Sequence, residues 1–366
     1  MANASNSLFA PGEYIRDELK ARGWTQETLA HILDRPLKSV NQIITGSKAI
    51  TAQTAQELAA AFGTTAQLWM NLESSYRLEM DKLDSDDVAR RAQLNETAPV
   101  QEMIRRRWIK DVSSVTVLEK EIAGFFASDF EAAARKSTSY ETTTVAQKAW
   151  LCRAFQLAKG APVSRKFSAS TASKRLADLH ALTVNEHEVR RVPEILSEMG
   201  IRFLVVEHLT KTKIDGAALW LDSKSPVIVL SLRYDRIDGF WFTLCHELMH
   251  VLNGDKWSLD SEMIAPGKIG SDDISECEQR ADREASEFLI SSDILNSFIV
   301  RHKPRFSKVN IVRFANLYQI HPGIVVGQLQ HHRAIKWTHS REMLVGVRES
   351  LTDAALTDGW GHFPGM

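Results

Sequence analysis

The chain lacks most features that mark a protein for export, for membranes or for bulk nucleic-acid binding. Three cysteines (Cys152, Cys245 and Cys277) lie far apart among 366 residues. That excludes a disulfide framework and a zinc ribbon, and it points to a reducing, cytoplasmic home. Long apolar runs are missing: stretches such as Val227–Leu232 fall well short of the ~20 residues a bilayer crossing needs, so no membrane partner is expected. The opening Met1-Ala-Asn-Ala-Ser-Asn-Ser has neither the basic nor the apolar region of a signal peptide. No charge of one sign dominates, since 45 Lys/Arg against 46 Asp/Glu leave a net of −1. A composition of 44% hydrophobic and 25% charged residues excludes a disordered or collagen-like chain. The length suits two or three domains.

Neutrality conceals an asymmetry. Gln101–Leu176 carries 14 Lys/Arg against 7 Asp/Glu, whereas Asn253–Leu295 carries 4 against 11. Two readings are open. The segments are solvated faces that neutralise one another across a domain contact, or they are a basic guide for an acidic partner and an acidic, cation-attracting site.

Residues from Pro11 to about Glu79 read as short helices punctuated by Gly23, Gly46 and Gly63, with Thr25 and Thr51 as N-caps. Short helices with three- to four-residue turns match a helix-turn-helix. By geometry Leu37–Thr45 is the recognition helix, offering Lys38, Ser39, Asn41 and Gln42 to base edges, while Gln26 can hold a phosphate. The segment resembles the XRE/HigA-type modules of repressors and antitoxins at Pro11-Gly12-Glu13, Gln26, Leu29-Ala30, Ile43-Ile44-Thr45-Gly46, Ile50-Thr51 and Leu68-Trp69. Double-stranded DNA is the partner this implies. Gly12–Leu72 nevertheless balances 6 basic against 6 acidic residues, so either a homodimer binds a palindrome or the module binds protein.

Asp81–Asp87 reads as a boundary or a charged helix start, Ala98–Lys159 as helical, and Gly160–Thr171 as a linker. From Val192 the pattern changes. A helix ending at Gly200 precedes strand candidates Ile201–Val206, Ala217–Leu221 and Val227–Leu232. Helices return at Arg236–Leu252, Ile274–Ile290, Val309–Tyr318 and Ile324–His332.

His246-Glu247-Leu248-Met249-His250 carries the chemistry. Positions i and i+4 share one helix face, so both imidazoles reach one metal, and Glu247 beside them can serve as base toward water. A zinc site of this kind needs a third protein ligand downstream. Glu278 is the candidate, with Asp282 one turn later as acceptor for an imidazole N–H. The competing readings make Ser275-x-x-Glu278 a capping box, or give the ligand role to another acidic residue. Cys245 and Cys277 flank these positions but read as packing residues. Val227–Leu232 or Ala217–Leu221 could hold a peptide extended beside the cleft. His321 is a candidate second oxyanion donor, or simply a helix-start residue.

Phe240-Trp-Phe-Thr-Leu-Cys-His-Glu-Leu-Met-His250 and Glu278-Gln-Arg-Ala-Asp-Arg-Glu-Ala-Ser-Glu-Phe-Leu-Ile290 resemble the two motifs of the ImmA/IrrE metallopeptidases, and Asp215-Gly216 fits the same pattern. Ser291 departs from it where the family often has Pro. The resemblance implies a Zn2+-dependent protease that cuts repressor-type regulators, with His246, His250 and Glu278 as ligands and Glu247 as the catalytic base.

The expected fold is therefore mainly α with a small sheet (α+β). It comprises an N-terminal all-α helix-turn-helix bundle (11–79), a helical linker or middle region (80–190), a zincin-like metallopeptidase domain (191–335) and a C-terminal tail (336–366). The expected function is proteolysis of a repressor- or antitoxin-like protein substrate in a transcriptional, toxin–antitoxin or mobile-element response. A non-catalytic repressor that uses the zinc fold only to grip a partner is the alternative, and an intact Glu247 favours the enzyme.

Overall fold

Capping residues delimit the first helices. α1 (Pro11–Arg22) stops at Gly23, whose φ of 67° lies in the left-handed region. Thr25 opens α2 (Gln26–Ile32) through reciprocal bonds with Thr28. α3 (Leu37–Ile44), α4 (Ala52–Phe62) and α5 (Ala66–Met80) complete the bundle. Its core is Ile15, Leu29, Val40, Ile43, Leu58 and Trp69. α1 presses on the end of α3 so closely that a Cβ at Gly12 would fall 1.9 Å from the Ile44 carbonyl oxygen. That contact explains the glycine in Pro11-Gly12-Glu13.

The computed structural model describes residues 10–80, 85–127, 143–255, 258–261 and 276–364. The chain divides into two units, Met1–Arg90 and Arg91–Met366. The division falls inside α6 (Ser85–Thr97), and residues 81–84 of the expected boundary lie outside the described residues.

The second unit is built on a five-stranded mixed sheet. Its strands are β1 (Arg202–Val206), β2 (Ile214–Trp220), β3 (Pro226–Leu230), β4 (Ser258–Ser261) and β5 (Leu356–Asp358), in the order β4-β2-β3-β1-β5. β1 runs parallel to β3 and β5, while β2 runs antiparallel to β3 and β4. Period-two alternation sends Phe203, Val205, Ile228 and Leu230 to one face and Leu204, Val206, Val227 and Val229 to the other. Helices cover both faces. α7 (Val115–Phe126) and α8 (Val145–Gly160) pack on the second face through Leu118, Ile122, Trp150 and Phe155. On the first face lie α9 (Val192–Met199), α10 (Ile237–Asn253), α11 (Glu276–Leu289), α12 (Ser292–His302), α13 (Lys308–Leu317) and α14 (Pro322–His331).

Mainly α with a small sheet describes this architecture, but the segments between the expected domains have other roles. Residues 91–190 are not a separate middle region: α7 and α8 bury one whole face of the sheet. Gly160–Thr171 is docked rather than free, with the Ser164 N–H donating to Ser197 Oγ at 2.8 Å and Phe167 packed edge-on against Trp220. Within 336–366, β5 pairs with β1.

Candidate metal centre and helix-turn-helix face

α10 lies across the sheet, and nearly all of it is buried. It ends where Gly254 turns left-handed, at φ 75°. The Gly254 and Asp255 N–H groups then donate back to the Val251 and His250 carbonyls, at 3.2 and 2.9 Å. This reversal returns the chain over the last turn of the helix.

His246 and His250 are 1% and 0% exposed. Their Nε2 atoms lie 2.9 Å apart, and Glu278 Oε2 on α11 is 3.1 Å from the first and 3.4 Å from the second. Among the described residues, these three form the one set of His, Cys, Asp and Glu side chains able to hold a metal ion. The outer nitrogens face carboxylates: Asp282 Oδ1 is 2.9 Å from His246 Nδ1, and Asp255 Oδ2 is 3.0 Å from His250 Nδ1. If each Nδ1–H donates to its carboxylate, each Nε2 turns a lone pair inward. Two imidazole lone pairs and a carboxylate oxygen then converge on one point, an arrangement that calls for a cation. Tetrahedral zinc with bonds of about 2.0–2.1 Å sets ligand–ligand edges of about 3.3 Å, close to the spacing found here. The donor set fits the metal.

Electrostatics follow the geometry. Burial alone would raise the Glu278 carboxyl, but without a metal the His246 and His250 rings, when protonated at Nε2, donate to it and hold it well below the usual carboxylate range. Burial opposes charge on His250, yet Glu278 and Asp255 keep its ring above the ordinary imidazole value. Glu247, 0% exposed, lies against β2, where a Cβ at Gly216 would come 2.6 Å from Glu247 Oε1. Only glycine gives that carboxylate room, which accounts for Asp215-Gly216.

One expectation changes here, and two open readings are decided. Neither β2 nor β3 can take a peptide by strand addition, because both edges of each are already paired. Among the described residues the free edges belong to β4 and β5. His321 caps α14, its Nδ1 accepting from the Gly323 N–H at 3.0 Å, which is the helix-start role. Cys245 is buried, and burial pushes its thiol far above the ordinary range. Ser275, the proposed cap of α11, lies outside the described residues.

In the first unit, α3 presents Lys38, Asn41 and Gln42 as exposed side chains. Ser39 is half-buried and accepts from Lys48 Nζ at 3.0 Å, and Gln26 is half-buried at the start of α2. Lys48, exposed in the turn after α3, adds a cation that sequence reasoning had not singled out.

Two family profiles fit the chain. Residues 15–69 match the helix-turn-helix, and residues 198–325 match the IrrE N-terminal-like domain of peptidase family M78. The chain thus carries an XRE-type helix-turn-helix domain followed by an ImmA/IrrE-like (M78) domain. It is similar to "Virulence-associated protein I" of Dichelobacter nodosus, with 37% identity over 79 residues, 21% of this chain and 73% of that protein. A solved addiction-module antidote protein of a HigA family from Coxiella burnetii is 38% identical, with TM-score 0.19, over 20% of this chain and 79% of that one. A Pseudomonas aeruginosa protein solved with its operator DNA is 37% identical, with TM-score 0.20, over 20% of this chain and 81% of that one. Among the described residues, no helix is long and apolar enough to cross a membrane.

Sequence reasoning missed one carboxylate at the M78 centre. Asp255 Oδ2 faces His250 Nδ1 as Asp282 Oδ1 faces His246 Nδ1, and Arg280 of α11 grips both Asp255 oxygens, at 3.0 and 2.8 Å. The available signal was Gly254-Asp255 directly after the helix. A left-handed stop there places the next residue but one from the helix end over His250.

Proposed function

We propose that this protein is a zinc-dependent metalloprotease coupled to a DNA-binding helix-turn-helix, and that it cleaves a repressor- or antitoxin-type regulator in the cytoplasm. The observation that carries the reading is the convergence of His246 Nε2, His250 Nε2 and Glu278 Oε2 on one point, on the helix that also bears the buried Glu247. Zinc held by these residues would supply Lewis acidity toward the scissile carbonyl and make nearby water more acidic. The remaining tasks belong to the chain. Glu247 takes the proton of the attacking water and returns it to the departing amine. Asp282 and Asp255 fix the tautomer and orientation of the two imidazoles. Keeping a carboxylate at 0% exposure is costly, which supports a catalytic task for Glu247 over a fold that only grips a partner.

Metal analysis of the purified protein tests the ligand set. Zinc should be stoichiometric in the parent and lost in Glu278→Ala; stoichiometric zinc in that variant overturns the assignment. Zinc-loaded protein that leaves every supplied regulator uncut favours the non-catalytic alternative. For the N-terminal unit we infer that a homodimer reads a palindrome through α3. Asn41→Ala and Gln42→Ala should each cost ~1–3 kcal/mol of operator binding. Loss of a protein partner, with no promoter fragment shifted in a gel, would make the module a protein-recognition device.

A further inference from the structure

Away from the metal centre, α12 and α13 leave between them an open groove of about 510 Å³. Phe298 and Phe314 form its floor, their ring centroids 4.3 Å apart. Ile294 lines it further along α12, and Leu317, 73% exposed, stands at the α13 side. Arg301 and Arg313 rise from opposite walls; both are exposed and enter no ion pair among the described residues. The two helices and their turn, Ser292–Leu317, carry five Lys/Arg against a single Asp in a chain of net charge −1. Lys308 pairs with Glu342, so the arginines are the groove's own cations.

We propose that this groove binds an acidic amphipathic helix of a partner protein. The chemistry of the two surfaces selects that occupant. An aromatic floor between two helices accepts apolar side chains spaced i, i+4 and i+7, as in helix-in-groove recognition. A cationic wall on each side calls for Asp or Glu flanking that stripe, which steers encounter and fixes register. α12 has 11 residues, so the groove accommodates about three turns of ligand helix. A second copy of the same face would bring the same positive charges and be repelled. A phosphate backbone would satisfy the arginines and leave the aromatic floor unused. The inference stands independently of whether the metal centre hydrolyses peptides.

The test uses full-length protein and a fluorescein-labelled helical peptide of about three turns. Its leucines are spaced i, i+4 and i+7 and flanked by glutamates, and binding is followed by fluorescence anisotropy. Saturable binding is expected. The double variant Arg301→Glu, Arg313→Glu should weaken it at least about ten-fold and should instead take up the same peptide with lysines in place of glutamates. Leu317→Ser should weaken the glutamate peptide without reversing the charge preference. All three substituted side chains are exposed, so an unchanged melting temperature accompanies each variant. The proposal is overturned if the parent binds the lysine peptide equally well, if no peptide binds, or if the double variant loses only double-stranded DNA.

Discussion

At the proposed metal centre His246, Glu247 and His250 are at most 1% exposed and each imidazole turns Nδ1 toward a carboxylate, whereas Lys38, Asn41 and Gln42 on α3, the proposed recognition helix, stand in solvent. The contrast separates two kinds of task. A centre that gathers two lone pairs and a carboxylate on one point must be held in shape before its ligand arrives, because electrostatic work is done by groups already oriented. A recognition helix needs only a rigid backbone behind it, since its side chains are ordered by the surface they meet. The rigid parts accordingly differ: for α3 it is the contact of Gly12 with Ile44, and for α10 it is the room left by Gly216 and the reversal at Gly254.

The contrast can be broken from either side. Glu247→Gln should lower hydrolysis of a supplied regulator by ~10²–10⁴-fold while zinc content stays stoichiometric. A variant that loses both would make Glu247 a structural residue. Next in size, Asp255→Ala and Asp282→Ala should each weaken zinc binding ~10–100-fold in a chelator competition, with operator binding unchanged. Equal zinc affinity in parent and variants would show that the imidazoles do not need their carboxylates.

Gly12→Ala should act only on the other unit. Overpacking against the Ile44 carbonyl should cost about 1–3 kcal/mol there, seen as an earlier thermal transition with metal content preserved. The smallest effect is on pH dependence. Protons compete with the metal for His250, whose metal-free ring titrates above the ordinary imidazole value. Zinc affinity should therefore climb as pH rises through the ordinary imidazole range and beyond it, steepest where that ring loses its proton. A flat profile would mean that His250 is already neutral across this range.

The sequence made the helix-borne part of the centre legible and hid the part made by chain reversal. His246 and His250 share a helix face whatever the tertiary structure, and Glu278 with Asp282 repeats that spacing on a second helix. Asp255 reaches His250 only because Gly254 turns left-handed, a backbone event that no apolar periodicity records. Strand addition at β2 or β3 was misjudged for a related reason. Periodicity reveals strands but not their order: β3 lies between β1 and β2, and the outer edge of β2 is taken by β4, which is too short to read. Gly160–Thr171 has a linker's composition, yet Ser164 and Phe167 find partners on α9 and β2. The helix-turn-helix was more legible because its caps and turns are local signals.

β5 completes one flank of the sheet by pairing Leu356–Asp358 with Leu204–Val206, about 150 positions earlier in the chain. A bundle of local helix contacts closes as soon as its last helix emerges from the ribosome, whereas this sheet waits for a strand translated ~270 residues later. At ~5–20 residues per second that interval is tens of seconds. During each round of synthesis a folded helix-turn-helix is thus present before any finished M78 domain. A nascent chain stalled or clipped in that window would leave a helix-turn-helix with no M78 domain behind it.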